Sequence, residues 1–420
     1  MRSLTLSFLV VCCAFATSSV LGQAVVPDID RWGGNTALSQ AQGYSQGDPL
    51  HLTWGIVNDG LNIGSFAGEG ASPSELKSRL IGIYGSEAAY LTHFQSVFDR
   101  WSSVSGLQYS YQATDDGATF GNAGGVAGTR ADVRIGGHPI DGNSGILAYN
   151  FFPEFGDMVI DTDDNFYDNT NNNSIRLRNV LSHEHGHGLG MSHVESSSDR
   201  FLMEPFVSTS FDGPQHHDIL MAHRGYGDVN EKSNSQQGND SAALATGLGL
   251  IADGASVSVG QDGSKEVVAD SDTDFFSIDD QTDTDFWSFS IASASLVDLN
   301  LEALGYVYNI DEQGGSGGGN FDTAARSDLE LALFDADGST LLASSDVTSF
   351  GGDEQLSGVQ LDEAGTYFVR VRGADNDDSI EVDTQFYGLS VSVAAIAIPE
   401  PGTLGLLSLC GLFLVHRRRR

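Results

Sequence analysis

Cysteine is nearly absent from this chain of 420 residues: Cys12, Cys13 and Cys410 are the only three. All lie in the terminal stretches, so no disulfide can staple the body between them. That body must rely on its hydrophobic core and on any cations it binds. Basic residues are scarce as well, 20 Lys and Arg against 57 Asp and Glu, for a formal charge of −37. A phosphate backbone needs a basic surface, so nucleic acid is excluded as a partner. Acidity on this scale fits solubility or cation binding instead. Charged residues make up only 18% and hydrophobics 40%, a globular rather than a disordered acidic composition. The length predicts two domains, and the 51 glycines predict many tight turns.

The two ends read as processing segments. Residues 1–22, "MRSLTLSFLVVCCAFATSSVLG", have a basic start, an apolar core and small residues, the pattern of a secretory signal peptide. Residues 396–420 hold Pro399-Glu400-Pro401, an apolar run and four terminal arginines. That run is shorter than the ~20 residues a bilayer span needs, and terminal arginines stay on the cytoplasmic side during export. The order of these features resembles the PEP-CTERM sorting signal of Gram-negative bacteria. The resemblance implies an exported protein, secreted or held in the cell envelope, whose tail makes transient membrane contact.

Between the ends, residues 23–47 form a short N-terminal segment and residues 48–230 mix helix and strand signals. "LHLTWGIV", from Leu50, reads as a first strand. A long helix follows, with Leu91, Phe94, Val97, Phe98 and Trp101 at helical spacing, turning at Gly106 into another strand. "ADVRIGG", "SGILAYNFF" and "DMVIDTDD" read as strands. "SIRLRNVLSHEHGHGLG" reads as a second helix with Ser174 as its N-cap and glycines at its end. Residues 231–240, polar and rich in Asn, Gln, Ser and Gly, are expected to be a linker. From 241 to 395 short alternating runs recur between turn signals, the pattern of an all-β sandwich without helices.

One stretch carries the chemistry. In "LSHEHGHGLGMSH" (Leu181 to His193), His183 and His187 are four apart and share one helix face. Glu184 lies near that face, within reach of a metal-bound water. Gly190 lets the backbone leave the helix where a β-carbon would hinder it, which returns His193 as a third ligand. Three imidazoles leave one tetrahedral position open, the layout of a catalytic zinc rather than a structural one. His185 sits roughly 200° round the axis from the helical ligands. It shares a face with Leu181 and is expected to pack inward. The extended pattern H-E-x-x-H-x-x-G-x-x-H is far more specific than its first five residues.

"HEHGHGLGMSH" followed by "FLMEP" resembles the metzincin metalloproteases, and the details resemble their matrixin branch. "FQSVFDRWSSVSGLQY", "ADVRIG", "IDGNSGILAYNFFP" and "DILMAHRGYG" are similar to matrixin segments in the same order. The resemblance implies an α+β zincin fold, a mixed twisted sheet with long helices, followed here by the all-β sandwich. It implies a secreted or cell-surface zinc-dependent endopeptidase that hydrolyses proteins or peptides. His183, His187 and His193 would bind one catalytic zinc, with Glu184 as general base and then proton donor. Met203, in Met203-Glu204-Pro205, would form the Met-turn beneath the metal, with Gly190 as the structural turn residue. Asp141, Asp161 and Asp164 match a matrixin calcium site, with carbonyls of Gly142, Ser144 and Ile146. Gly145–Phe152 would be the edge strand that receives the substrate, and Pro205–Val207 would wall the adjoining pocket.

The departures also matter. Where animal matrixins place histidines for a second, structural zinc, this chain has Tyr149 and Val159, so no structural zinc is expected. His138 is nearby but isolated. "TDFWSFSI", "DLELALFDADGSTLLASS" and "AGTYFVRVRG" resemble the bacterial pre-peptidase C-terminal domain. Asp335, Asp337 and the Asp270-Asp272-Asp274 run are read as solvated turn carboxylates. The competing reading is a surface adhesin or calcium-binding matrix protein on an inactive metzincin scaffold. The intact set of ligands, Glu184, Gly190 and Met203 speaks against it.

Overall fold

The computed structural model describes residues 28–38, 44–315, 318–375 and 382–396. The signal segment 1–22 and nearly all of the sorting tail lie outside the described residues. No helix among those described is long and apolar enough to cross a membrane.

The strand β1 (Leu50–Ile56) is almost wholly buried, as a near-continuous apolar run covered on both faces should be. It pairs in parallel with β2 (Leu107–Tyr111) on one side and β3 (Val133–His138) on the other. β3 pairs in parallel with β5 (Met158–Asp161), and β4 (Ala148–Asn150) runs antiparallel to β5. The sheet order is therefore β2-β1-β3-β5-β4, which leaves β4 at an edge. The Gly145–Phe152 stretch is strand only over its central three residues.

Two helices lead into β2. The short α1 (Leu76–Tyr84), which the sequence pattern did not suggest, buries only Leu76 and Leu80 and ends at Gly85 with φ 83°. The long α2 (Glu87–Ser103) starts where the Ser86 hydroxyl accepts the Ala89 N–H, and it buries Tyr90, Phe94, Val97, Phe98 and Trp101. Phe98 stacks on Trp54 of β1 with ring centroids 4.6 Å apart, so the helical stripe closes on the sheet. α3 (Asn171–Gly188) begins differently from expectation: Asn172, Asn173 and Ser174 all have positive φ, and no side chain caps the start. Ser174 ends a left-handed turn rather than capping the helix. Asn tolerates that region better than most residues, which two of the three positions exploit.

The C-terminal half is two sheets face to face. One runs Ser256–Val259, Gln385–Ala395, Ser295–Leu304, Glu354–Leu361, and the other Leu341–Ser345, Asp328–Phe334, Gly365–Asp375, Thr284–Ile291, Thr246–Leu250. Thr284–Ile291 alternates half-buried and buried residues without a break, the period of two that a sandwich strand requires. Trp287, Leu299, Leu331, Val369 and Leu389 meet in its core.

The two halves nevertheless share a second core. Val268, Phe275, Tyr308, Ile310, Phe321 and Phe386 of the C-terminal half pack with the helices and sheet of the first half. α4 (His216–Tyr226) is buried along its entire length as a result. The 231–240 stretch, expected as a linker, is anchored rather than loose. The Lys232 ammonium donates to the Ser105 and Leu107 carbonyls at 2.8 and 3.1 Å, just beyond the α2 C-terminus. Asn239 is fully buried and donates to the Phe286 carbonyl at 3.2 Å.

Candidate metal centre

α3 ends in a turn set by Gly190. The Gly190 N–H donates to the His187 carbonyl and the Met191 N–H to the Gly186 carbonyl, the bond pair of a Schellman motif with Gly190 at its left-handed position. Its φ is +104°, and a β-carbon there would lie 2.2 Å from the Asp30 carbonyl oxygen. Glycine is thus demanded twice, by the turn and by the N-terminal segment crossing beneath it. The Asp30 N–H donates to the Gly190 carbonyl at 3.1 Å, and the buried Trp32 indole donates to the Gly188 carbonyl at 2.7 Å. That segment had no role in the sequence reading.

Beyond the turn, His193 comes back to the helical pair. Its Nε2 lies 3.0 Å from Nε2 of His183 and 3.0 Å from Nε2 of His187. The other ring nitrogens are all engaged. Nδ1 of His183 meets the Leu202 carbonyl at 2.6 Å, and that of His187 the Met191 carbonyl at 2.7 Å. Nδ1 of His193 meets Oε1 of Gln313 at 2.9 Å. An oxygen acceptor at each Nδ1 places the proton there, so three Nε2 lone pairs face one another. No hydrogen bond can satisfy them together; a cation can. A tetrahedral zinc with Zn–N bonds of about 2.0–2.1 Å holds ligand nitrogens about 3.3 Å apart, close to the observed spacing. The residues therefore fit zinc. Burial, with the neighbouring imidazoles, pushes His183 down to about 4 and His187 well below its ordinary value, which keeps both in the neutral form a metal needs.

Glu184 is buried between the two helical ligands in sequence, and burial raises its carboxyl to about 8. Met203 lies under the helix: a β-carbon at Gly186 would come within 2.4 Å of its sulfur. Gly186 is thus the space that admits the Met-turn. Asp218 at the start of α4 holds that turn, since its carboxylate accepts the Leu202 and Met203 N–H groups at 2.7 and 3.1 Å. Leu202 in turn accepts from His183, so Asp218 braces a ligand through one peptide. Neither Gly186 nor Asp218 was singled out in the sequence. A glycine between two helical ligands was the available signal for the first.

His185 faces away from the others. Its Nε2 meets the Tyr109 hydroxyl at 2.7 Å, and its ring packs edge-on against Phe98 with centroids 4.9 Å apart. It is a packing residue, as its place on the helix implied, but with a polar partner. Pro205–Val207 is mixed: Val207 packs on the core while Phe206 is 87% exposed beside the Met-turn.

The three carboxylates expected at a calcium do not converge within 4.8 Å of one another. Asp161 accepts the Ile140, Asp141, Gly142 and Asp163 N–H groups. Asp164 accepts from Ser144 and Phe166, and Asp141 from Ile146. Each carboxylate braces a turn by taking backbone donors. Tyr149 donates to Glu69 at 2.9 Å, with the buried His138 3.5 Å from the same carboxylate. Val159 is buried in a small apolar cluster. Asp335 and Asp337 brace their own turn, where Asp337 accepts Ser339 and Thr340 N–H groups.

A different acidic group converges where the two halves join. Glu231, Asp283 and Asp285 each bring an oxygen within 4.8 Å of the others. Oδ1 of Asp285 and of Asn239 are buried there without hydrogen-bond partners. Burial, with repulsion from neighbouring carboxylates such as Asp228, Asp240 and Asp279, holds all three carboxyls above their ordinary range. These oxygens could hold a hard divalent cation.

Residues 85–222 match the matrixin family, residues 283–373 the bacterial pre-peptidase C-terminal domain, and residues 397–420 the PEP-CTERM protein-sorting motif. Among curated proteins, Metalloendoproteinase 2-MMP of Arabidopsis thaliana is 31% identical over 123 residues, 28% of this chain and 31% of that protein. Metalloendoproteinase 1-MMP of the same plant is 35% identical over 120 residues, 27% of this chain and 31% of that one. Karilysin of Tannerella forsythia is 41% identical over 93 residues, 19% of each chain. The chain thus spans less than a third of the length of these relatives.

Proposed function

We propose, taking residues 85–222 as a matrixin region joined to a pre-peptidase C-terminal sandwich, that this protein is an exported zinc-dependent endopeptidase. The observation that carries the reading is the meeting of three Nε2 lone pairs whose Nδ1 protons are all held by oxygen acceptors. When bound there, zinc supplies Lewis acidity, which polarises a peptide carbonyl and brings the pKa of nearby water toward neutrality. Glu184 takes the proton from the attacking water and passes it to the leaving amine. Its carboxyl is buried beside the ligands and raised by desolvation; a cation bound at the three histidines would favour the ionised form that accepts the first proton. The free edge of β4 offers main-chain groups to an extended peptide, so proteins or peptides in extended form are the substrate class. The matrixin resemblance assigns Pro205–Val207 to the wall of the adjoining pocket. The PEP-CTERM match supports export to the envelope or beyond.

Casein cleavage tests the reading. The purified protein is compared with Glu184→Ala and with protein stripped by a zinc chelator. Removing the base is expected to lower the rate by about 10²–10⁴-fold, and stripping to abolish it until zinc is restored. Equal activity in all three samples would overturn the proposal. It would leave the adhesin reading in its place.

A further inference from the structure

We propose that the C-terminal sandwich completes the metal centre, with Gln313 as a positioning residue for His193; this rests on the zinc reading of the three histidines. The strands Val307–Glu312 and Gly319–Asp322 form a hairpin that leaves the sandwich and adds to Val194–Ser196 of the first half as a three-stranded sheet. The antiparallel register pairs Ile310 with Ser196, Asp311 with Glu195 and Glu312 with Val194. One step further along the same ladder sets Gln313 opposite His193. Neighbours across such a ladder are close enough for side-chain contact, and Gln313 Oε1 lies 2.9 Å from His193 Nδ1.

The other two ligands are held by carbonyls of their own half, Leu202 and Met191. His193 alone takes its acceptor from the sandwich, 120 residues away in sequence. It needs one more than they do, because it lies beyond the helix and is only partly buried. A bond at Nδ1 fixes the tautomer that leaves Nε2 free for the metal and stops the ring from turning.

The hairpin is itself well placed to do this. Its base is clamped to α4 and to the chain entering the Met-turn. The Tyr308 hydroxyl meets Nδ1 of His217 at 2.9 Å, and the Tyr308 ring packs on Phe201 with centroids 4.8 Å apart. Ile310 is fully buried in the shared core. A rigid base and a polar residue at the tip is the arrangement a ligand brace requires. Zinc affinity is then linked to docking of the sandwich, although the sandwich supplies no ligand.

The test uses the full chain. Zinc affinity is measured by competition with a chromophoric chelator for wild type, Gln313→Ala, Gln313→Glu and the neighbouring Glu312→Ala, and the visible spectrum of each cobalt-substituted form is recorded. Loss of an outer partner of a metal-bound histidine weakens binding by about 10–100-fold. Gln313 is exposed, so water can partly replace it, and Gln313→Ala is expected near the tenfold end. Its cobalt spectrum should change, while thermal unfolding of the zinc-free protein should not. Gln313→Glu, which keeps an acceptor, should bind at least as tightly as wild type, and Glu312→Ala should match it. Wild-type affinity and spectrum in Gln313→Ala would overturn the inference. So would a loss in Gln313→Glu equal to that in Gln313→Ala, or a loss explained by an equal drop in zinc-free stability. Failure of wild type itself to bind zinc would instead refute the zinc reading.

Discussion

The sharpest prediction concerns His185, the histidine of the helix that stands outside the metal triad. Its ring is fully buried, with Nε2 2.7 Å from the Tyr109 hydroxyl and Phe98, Tyr109 and Trp101 around it. Burial drives its pKa down to about 3, so the ring is neutral and enters no charge balance at the metal. Replacing it with Phe should therefore leave zinc content and proteolysis unchanged. Stability is another matter. The substitution removes one hydrogen bond and leaves the Tyr109 hydroxyl without its partner, a loss of about 1–3 kcal/mol when a polar group is orphaned. The Tyr109 ring is partly exposed but its hydroxyl is desolvated by burial, so ~1 kcal/mol is the floor of the expectation. Tyr109→Phe should cost a similar amount by orphaning Nε2 of His185. The double variant removes both polar groups and should be close to neutral. Urea unfolding of the four proteins measures the coupling, expected at about 2 kcal/mol against an additivity tolerance of about 0.3–0.5 kcal/mol. Additive losses, or loss of zinc from a folded His185→Phe protein, would refute this account of the helix faces.

Three further outcomes are expected. Gly190→Ala should destabilise by at least about 2 kcal/mol, since a left-handed L residue alone costs roughly 1–2 kcal/mol and the Asp30 backbone blocks the new β-carbon. Gly186→Ala meets only the flexible Met203 side chain and should cost less; thermal unfolding ranks the two. His223 is buried between Val104 and Ser277, and burial lowers its pKa to about 3. A lowered histidine contributes stability that is complete above pH ~6.5 and is lost as pH falls toward the folded value, by about 1.4 kcal/mol per pH unit. The stability difference between wild type and His223→Gln should therefore shrink from pH 7 to pH 5 in denaturant titrations, and a constant difference would refute it. Millimolar calcium should raise the unfolding temperature through Glu231, Asp283 and Asp285, and Asp285→Asn should remove the response. The effect should be larger at pH 8 than at pH 5, because carboxyls raised by burial must lose protons to take a cation.

The sequence by itself determined whatever depends on short-range periodicity. Residues four apart on a helix share a face, which pairs His183 with His187 and sets His185 on the opposite side. Gly190 was legible because left-handed backbone has one favoured residue, and the sandwich strands because burial alternates with a period of two. Short elements with weak patterns, such as α1 and the left-handed start of α3, were not legible. Tertiary structure alone decided what surrounds the ligands. The acceptors for His183 and His187 are backbone carbonyls, which every residue carries and no sequence marks. Asp218, Trp32 and Gln313 reach the site across 35, 151 and 120 residues respectively, counted from His183, His183 and His193. Contacts at such separations leave no local signature, because packing of distant segments and not residue spacing brings them together. The same holds for the acidic groups. Asp141, Asp161 and Asp164 face backbone donors, whereas Asp283 and Asp285, two apart in sequence, are joined by the distant Glu231 only where the halves dock.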